Sequence, residues 1–133
     1  MNLPLPTSPI LSTGTEWIID AAECDPQRLR ELGVLRAICD AVISDLGLNV
    51  VGEPLWHQFP EPGGVTGLYL LSESHLACHT YPEFGSATFN LYCCRDRATW
   101  NWQSRLADSI ASQNVSVRRV NRGSNQSAEG AAH

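Results

Sequence analysis

A chain of 133 residues with 43% hydrophobic content and a formal net charge of −5 has room for one packed core and one site, and its acidic balance argues against the basic face that nucleic-acid binding requires. All nine basic residues are arginine, so pyridoxal phosphate would have no lysine amine to hold it. Nothing approaches the ~20 apolar residues of a membrane span, no basic or cleavable apolar leader opens the chain, and Cys24, Cys39, Cys78, Cys93 and Cys94 lack paired CxxC spacing; the expectation is a cytoplasmic protein without membrane partner, disulfide framework or metal.

Residues 1–14 and 121–133 mix small and polar residues without apolar periodicity and read as flexible tails around a working domain at 15–120. Trp17, Ile18 and Ile19 begin a strand. Asp25 followed by Pro26 is an N-cap with proline at the first helical position. Over 27–46, apolar side chains recur at steps of three and four, which predicts one amphipathic helix ended by Gly47. A strand over 50–59 precedes a turn rich in proline and glycine, and apolar runs at 65–71 and 75–81 flank Ser72, Glu73 and Ser74. A strand over 87–94, a helix over 99–112 and a strand over 115–120 complete the chain. The connections between the middle strands are too short for parallel crossovers, so the fold class is an α/β (α+β) sandwich, a mostly antiparallel sheet with two helices on one face.

The densest reactive cluster runs from Ser72 through Glu73, Ser74, His75 and Cys78 to His79, with Tyr81 and Glu83 just beyond and Cys93 and Cys94 one strand later. The period of two places His75, Ala77 and His79 on one face of a strand, beside a hydroxyl at its start, and Leu76 and Cys78 on the other. A serine with a nearby histidine also suits a hydrolase, but no GxSxG elbow and no third member to orient the base accompany it. A polar strand connection with two ordinary histidines is the plain alternative.

Gly64-Val65-Thr66-Gly67, Leu71-Ser72-Glu73-Ser74-His75-Leu76, His79-Thr80, Pro82-Glu83 and Cys94 resemble the prokaryotic S-adenosylmethionine decarboxylase proenzymes, and the similarity runs from about Gly14 to Arg119, with Glu23-Cys24-Asp25 and His57 included. The resemblance implies self-cleavage between Glu73 and Ser74 into a β chain of residues 1–73 and an α chain of 74–133, with Ser74 becoming a pyruvoyl group. It assigns Thr66 as the hydroxyl that aids processing, His79 as the base for the Ser74 α-proton and Glu73 as the donor of the attacked carbonyl. Cys94 is assigned as the acid that returns a proton to the substrate, while Cys93 points the other way and reads as core. Phe59 and Tyr81 resemble an adenine sandwich and Glu83 a ribose ligand, although core packing explains the two rings equally well. The family pattern further implies a homodimer of processed αβ units acting on a small molecule, with sites near the dimer interface, in the supply of aminopropyl groups for spermidine.

Thr66 stands where the family has serine, Glu16 where it has histidine, Asn90 where it has aspartate and Arg95 where it has glycine. These departures keep two other readings open. One is a pyruvoyl-dependent ornithine or arginine decarboxylase in which Glu16 pairs with the second cationic group of the substrate; Glu16 as a solvated strand residue is the plainer view. The other is an uncleaved homologue that acts as a binding partner.

Overall fold

The computed structural model describes residues 13–95 and 97–123. Six strands, β1 (Gly14–Ala22), β2 (Leu55–Gln58), β3 (Val65–Leu71), β4 (Ser74–Tyr81), β5 (Ser86–Cys93) and β6 (Asn114–Arg122), form one sheet in the order β2-β3-β4-β5-β1-β6. Every neighbouring pair is antiparallel. Three helices, α1 (Pro26–Leu29), α2 (Leu32–Asp45) and α3 (Trp102–Ile110), cover one face. The α+β sandwich expected from the pattern is the fold observed.

The core is the meeting of alternate strand residues with the apolar stripes of the helices. Trp17 and Ile19 of β1, Tyr69 of β3, Leu76 and Cys78 of β4 and Phe89 and Leu91 of β5 pack in one cluster with Leu35, Ile38 and Val42 of α2 and with Trp102, Leu106 and Ile110 of α3. Gly67 of β3 lies opposite Trp56 of β2, and a side chain at that glycine would strike the indole ring. The other face of the sheet carries Glu16, Thr66, Leu68, Leu70, His75, His79, Asn90 and Tyr92, and among the described residues no helix covers it. Leu55 and Leu70 there are 69% and 61% exposed.

The single helix expected over 27–46 is two. Asp25 caps α1 through its side chain, which accepts from the Gln27 N–H at 3.0 Å, and Pro26 opens the helix as anticipated. The break follows at Arg30 and Glu31 because the Leu29 carbonyl accepts from the buried Thr80 hydroxyl at 2.9 Å, and Thr80 Oγ1 in turn accepts from Val65 N–H at 2.9 Å. A strand side chain thus takes a carbonyl that a continuous helix would have used. The strand expected over 50–59 shrinks to Leu55–Gln58, since Gly52 adopts a positive φ of 76° and Pro54 has no N–H to give; only Val50 bridges to Leu71 before it. The second long helix is trimmed to Trp102–Ile110, with Ala111 left-handed at its end.

The tail boundaries also shift. Gly14, Asn121 and Arg122 belong to strands, because β6 pairs with β1 along its whole length, Gly14 facing Arg122 and Thr15 facing Asn121. The remainder of the tails, 1–12 and 124–133, lies outside the described residues.

Candidate active site

Strands β3 and β4 form a hairpin closed by two residues, Ser72 and Glu73, with Leu71 and Ser74 as its last facing pair. The Ser72 N–H is tied to the Asn49 carbonyl at 2.9 Å. The end of β5 arrives beside this turn. The exposed Cys94 thiol donates to the Glu73 carbonyl oxygen at 2.6 Å, and Arg95 Nε reaches Glu73 Oε2 at 2.7 Å. Cys93, one residue earlier on a strand of period two, is buried as expected, but its thiol also meets the Ser74 side chain. Burial raises the Cys93 pKa and the hydrogen bond with Ser74 offsets part of the rise. Ser72, Glu73, Ser74, Cys93, Arg95 and Arg97 line a small polar pocket of about 100 Å³ at this end.

A second constellation occupies the opposite end of the same hairpin. Thr66 of β3 and His79 of β4 are cross-strand partners, and Thr66 Oγ1 lies 3.0 Å from His79 Nδ1. They open onto a cleft of about 520 Å³ whose walls include Phe59, Pro62, Tyr81 and Glu83, the last held in a short 3-10 turn, Pro82–Phe84. The residues matched to adenosyl contacts therefore surround the Thr66–His79 pair.

The structure does not bring His79 to Ser74 within one chain. Both lie on β4, five residues apart, which at ~3.3 Å per residue is ~16 Å along the strand. An odd separation also puts them on opposite faces: Ser74 turns inward with Leu76 and Cys78, and His79 turns to the open face with His75 and Ala77. The hydroxyl beside His79 is that of Thr66, not the one at the start of the strand.

Glu16 is also not a vacant acid. Asn90 Nδ2 donates to its Oε2, Arg122 Nη1 contacts its Oε1 at 2.6 Å, and Asn90 Oδ1 is 3.1 Å from His75 Nε2. The hydrogen bond from Asn90 is the largest cause of a lowered Glu16 pKa; burial opposes it and Arg122 assists it. Sequence reasoning missed the Arg95–Glu73 pair. Arg95 had stood out as a departure from a family pattern, without a contact to explain it.

The six-stranded antiparallel sheet with helices on one face thus carries, at the start of β4, a serine whose preceding carbonyl accepts from a thiol. The S-adenosylmethionine decarboxylase family description matches residues 15–123. The S-adenosylmethionine decarboxylase proenzyme of Parasynechococcus marenigrum (strain WH8102) is 34% identical over 110 residues, 82% of this chain and 84% of that protein. The proenzyme of the same name from Synechococcus sp. (strain WH7803) is 36% identical over 106 residues, 79% and 81% of the two chains. Among solved structures, the adenosylmethionine decarboxylase of Aquifex aeolicus superposes with a TM-score of 0.69 at 22% identity, covering 84% of this chain and 92% of that one, which shows a shared fold. The chain belongs to the S-adenosylmethionine decarboxylase family.

Proposed function

We propose that this chain is a proenzyme that cuts itself between Glu73 and Ser74 and then decarboxylates S-adenosylmethionine for spermidine synthesis in the cytoplasm. The observation that carries the reading is the setting of that one peptide bond, with a hairpin turn on one side and the Cys94 thiol on the Glu73 carbonyl. The Ser74 oxygen attacks the Glu73 carbonyl carbon, the C–N bond breaks, and the hydroxyl proton passes to the freed amine, leaving an ester. Removal of the Ser74 α-proton expels Glu73 as a carboxylate and leaves dehydroalanine, which water converts to a pyruvoyl group with loss of ammonia. The products are chains 1–73 and 74–133.

The residues present fit that group, since Ser74 begins the second chain at a site lined by polar side chains. A pyruvoyl group supplies a ketone that joins the substrate amine and accepts electrons as carbon dioxide leaves. In the chain itself, Cys94 is exposed beside the Glu73 carbonyl and would return a proton to the substrate, a task suited to a labile thiol proton. Thr66 and His79 are the hydroxyl and base of processing, and Phe59, Tyr81 and Glu83 hold the adenosyl part.

These roles require two copies. Within one chain His79 is ~16 Å along β4 from Ser74, whereas a second chain laid on the open face in the reverse direction can set its own Thr66, His79 and cleft beside the turn that carries the Glu73–Ser74 bond. Exposed Leu55, Leu68 and Leu70 give that face apolar surface to bury. The active form is therefore a homodimer of processed units with sites built across the interface. The ornithine or arginine reading loses its support, because the acid it needs, Glu16, is already engaged by Asn90 and Arg122.

Intact-mass measurement and carbon dioxide release test the reading together. Purified protein is expected as two chains that release carbon dioxide from S-adenosylmethionine and not from ornithine or arginine, while Ser74→Ala stays a single chain and releases none. A wild-type protein that remains one chain would overturn self-cleavage. Release from an amino acid alone would overturn the adenosyl roles of Phe59, Tyr81 and Glu83.

A further inference from the structure

We infer that Arg95 is a positioning residue for self-cleavage, holding Glu73 so that its carbonyl stays presented to Ser74; this rests on the self-cleavage reading above. Three consecutive residues at the end of β5 address the three parts of the scissile unit. Cys93 lines the same small pocket as Ser74, the Cys94 thiol donates to the Glu73 carbonyl oxygen, and the Arg95 guanidinium binds the Glu73 carboxylate. Cys94 touches a reacting group, the Glu73 carbonyl. Arg95 acts one bond network away, through the side chain of the residue that is to be attacked.

The need for such a hold follows from the local structure. Ser74 is fixed, because it pairs with Leu71 as the first residue of β4, and Ser72 is fixed through Asn49. Glu73 sits between them in a two-residue turn, so the Ser72–Glu73 peptide before it takes part in no strand pairing and is free to change its tilt. Attack on a carbonyl requires the reacting atoms to be ~3–3.5 Å apart and aligned. A change of tilt there would strain the Glu73–Ser74 peptide and spoil that alignment. With the carboxylate held at 2.7 Å by Arg95 and the carbonyl at 2.6 Å by Cys94, both arms of Glu73 are anchored to the same short segment.

The opposing view is that an ion pair whose arginine side chain is 69% exposed does nothing. For global stability that view holds, and the unfolding midpoint of an Arg95 variant should not move. The rate of cleavage is a different quantity, since it depends on how often one peptide in one turn is correctly oriented.

The test follows freshly translated full-length chain as it converts to the 1–73 and 74–133 fragments. Arg95→Gln is expected to slow the first-order rate about threefold, the size that exposed ion pairs reach, while Arg95→Lys recovers most of the rate by keeping the charge. Glu73→Gln should slow cleavage similarly, and the double variant Glu73→Gln/Arg95→Gln should be no slower than either single, as expected of two residues acting as one unit. Arg36→Gln, which removes a comparable surface pair with Asp40 on α2, should cleave at the wild-type rate. The inference is overturned if Arg95→Gln cleaves as fast as wild type, or if its effect adds in full to that of Glu73→Gln. Failure of the wild type itself to cleave would overturn the self-cleavage reading first, and is seen separately.

Discussion

The two ends of the β3–β4 hairpin are made for different work. At the turn, two neighbouring residues, Cys94 and Arg95, hold Glu73 by its carbonyl and its carboxylate beside a polar pocket of about 100 Å³. At the other end, a threonine–histidine pair opens onto a cleft of about 520 Å³ walled by a phenylalanine, a tyrosine and prolines. The first surrounds the Glu73–Ser74 bond but has no room for an adenosyl group; the second has room for a ligand but lies away from that bond. Strand rise keeps them ~16 Å apart. The strand holds these ends apart within one chain, and the proposed dimer would join them through a second copy of the open face.

The sharpest way to break that comparison is to put each defect in a separate chain. Ser74→Ala and His79→Ala are each expected to be uncleaved alone. Co-expressed, the His79→Ala chain can borrow a histidine from its partner, and with random pairing in a two-fold dimer about a quarter of all sites should process and turn over. Mass spectrometry of the mixture reads this directly; a mixture as inert as its parents would show that the two ends do not cooperate between chains. Next in size, Cys94→Ser on processed protein should lower decarboxylation by about a hundredfold, within the range of a lost general acid. Thr66→Val, which keeps the shape and removes the hydroxyl 3.0 Å from His79 Nδ1, should slow cleavage about tenfold, and Thr66→Ser should restore it. Rates by gel densitometry separate the two.

How much of this could be read from the sequence depends on how far apart in the chain the cause lies. Strands β3, β4 and β5 were visible because their alternation is local, and the cap at Asp25 because its partner Gln27 is two residues away. The break between α1 and α2 was invisible because its cause is Thr80, 51 residues from the carbonyl it takes. Strand β6 was cut short at Val120 because an edge strand needs little apolar patterning when its partner β1 supplies the ladder. Ser74, His79 and Cys94 stood out through a family resemblance, yet the odd spacing from 74 to 79 already contained their separation onto opposite faces. The Arg95–Glu73 pair was out of reach, since it exists only because β5 ends beside the β3–β4 turn.

The smallest effect concerns the ground between the two ends, where Glu16 ties β1 to β5 and β6 on the open face. Asn90 donates to one of its carboxylate oxygens and Arg122 approaches the other at 2.6 Å, so the ionised form is favoured in the folded protein and its pKa falls below the usual 4.5. A lowered folded pKa means that the unfolded chain binds more protons in this window, so stability rises with pH there. The share contributed by Glu16 is therefore present above its unfolded value and is lost as pH drops through the lower folded one. Glu16→Gln should cost about 1 kcal/mol at neutral pH, the scale of a hydrogen bond to a charged group at a partly solvated site. Denaturant unfolding of the two proteins from pH 7 down to about pH 3 should show the gap closing below pH ~4.5. A gap that stayed constant across that range would assign the cost to lost packing and remove the charge of Glu16 from the account of what holds the open face together.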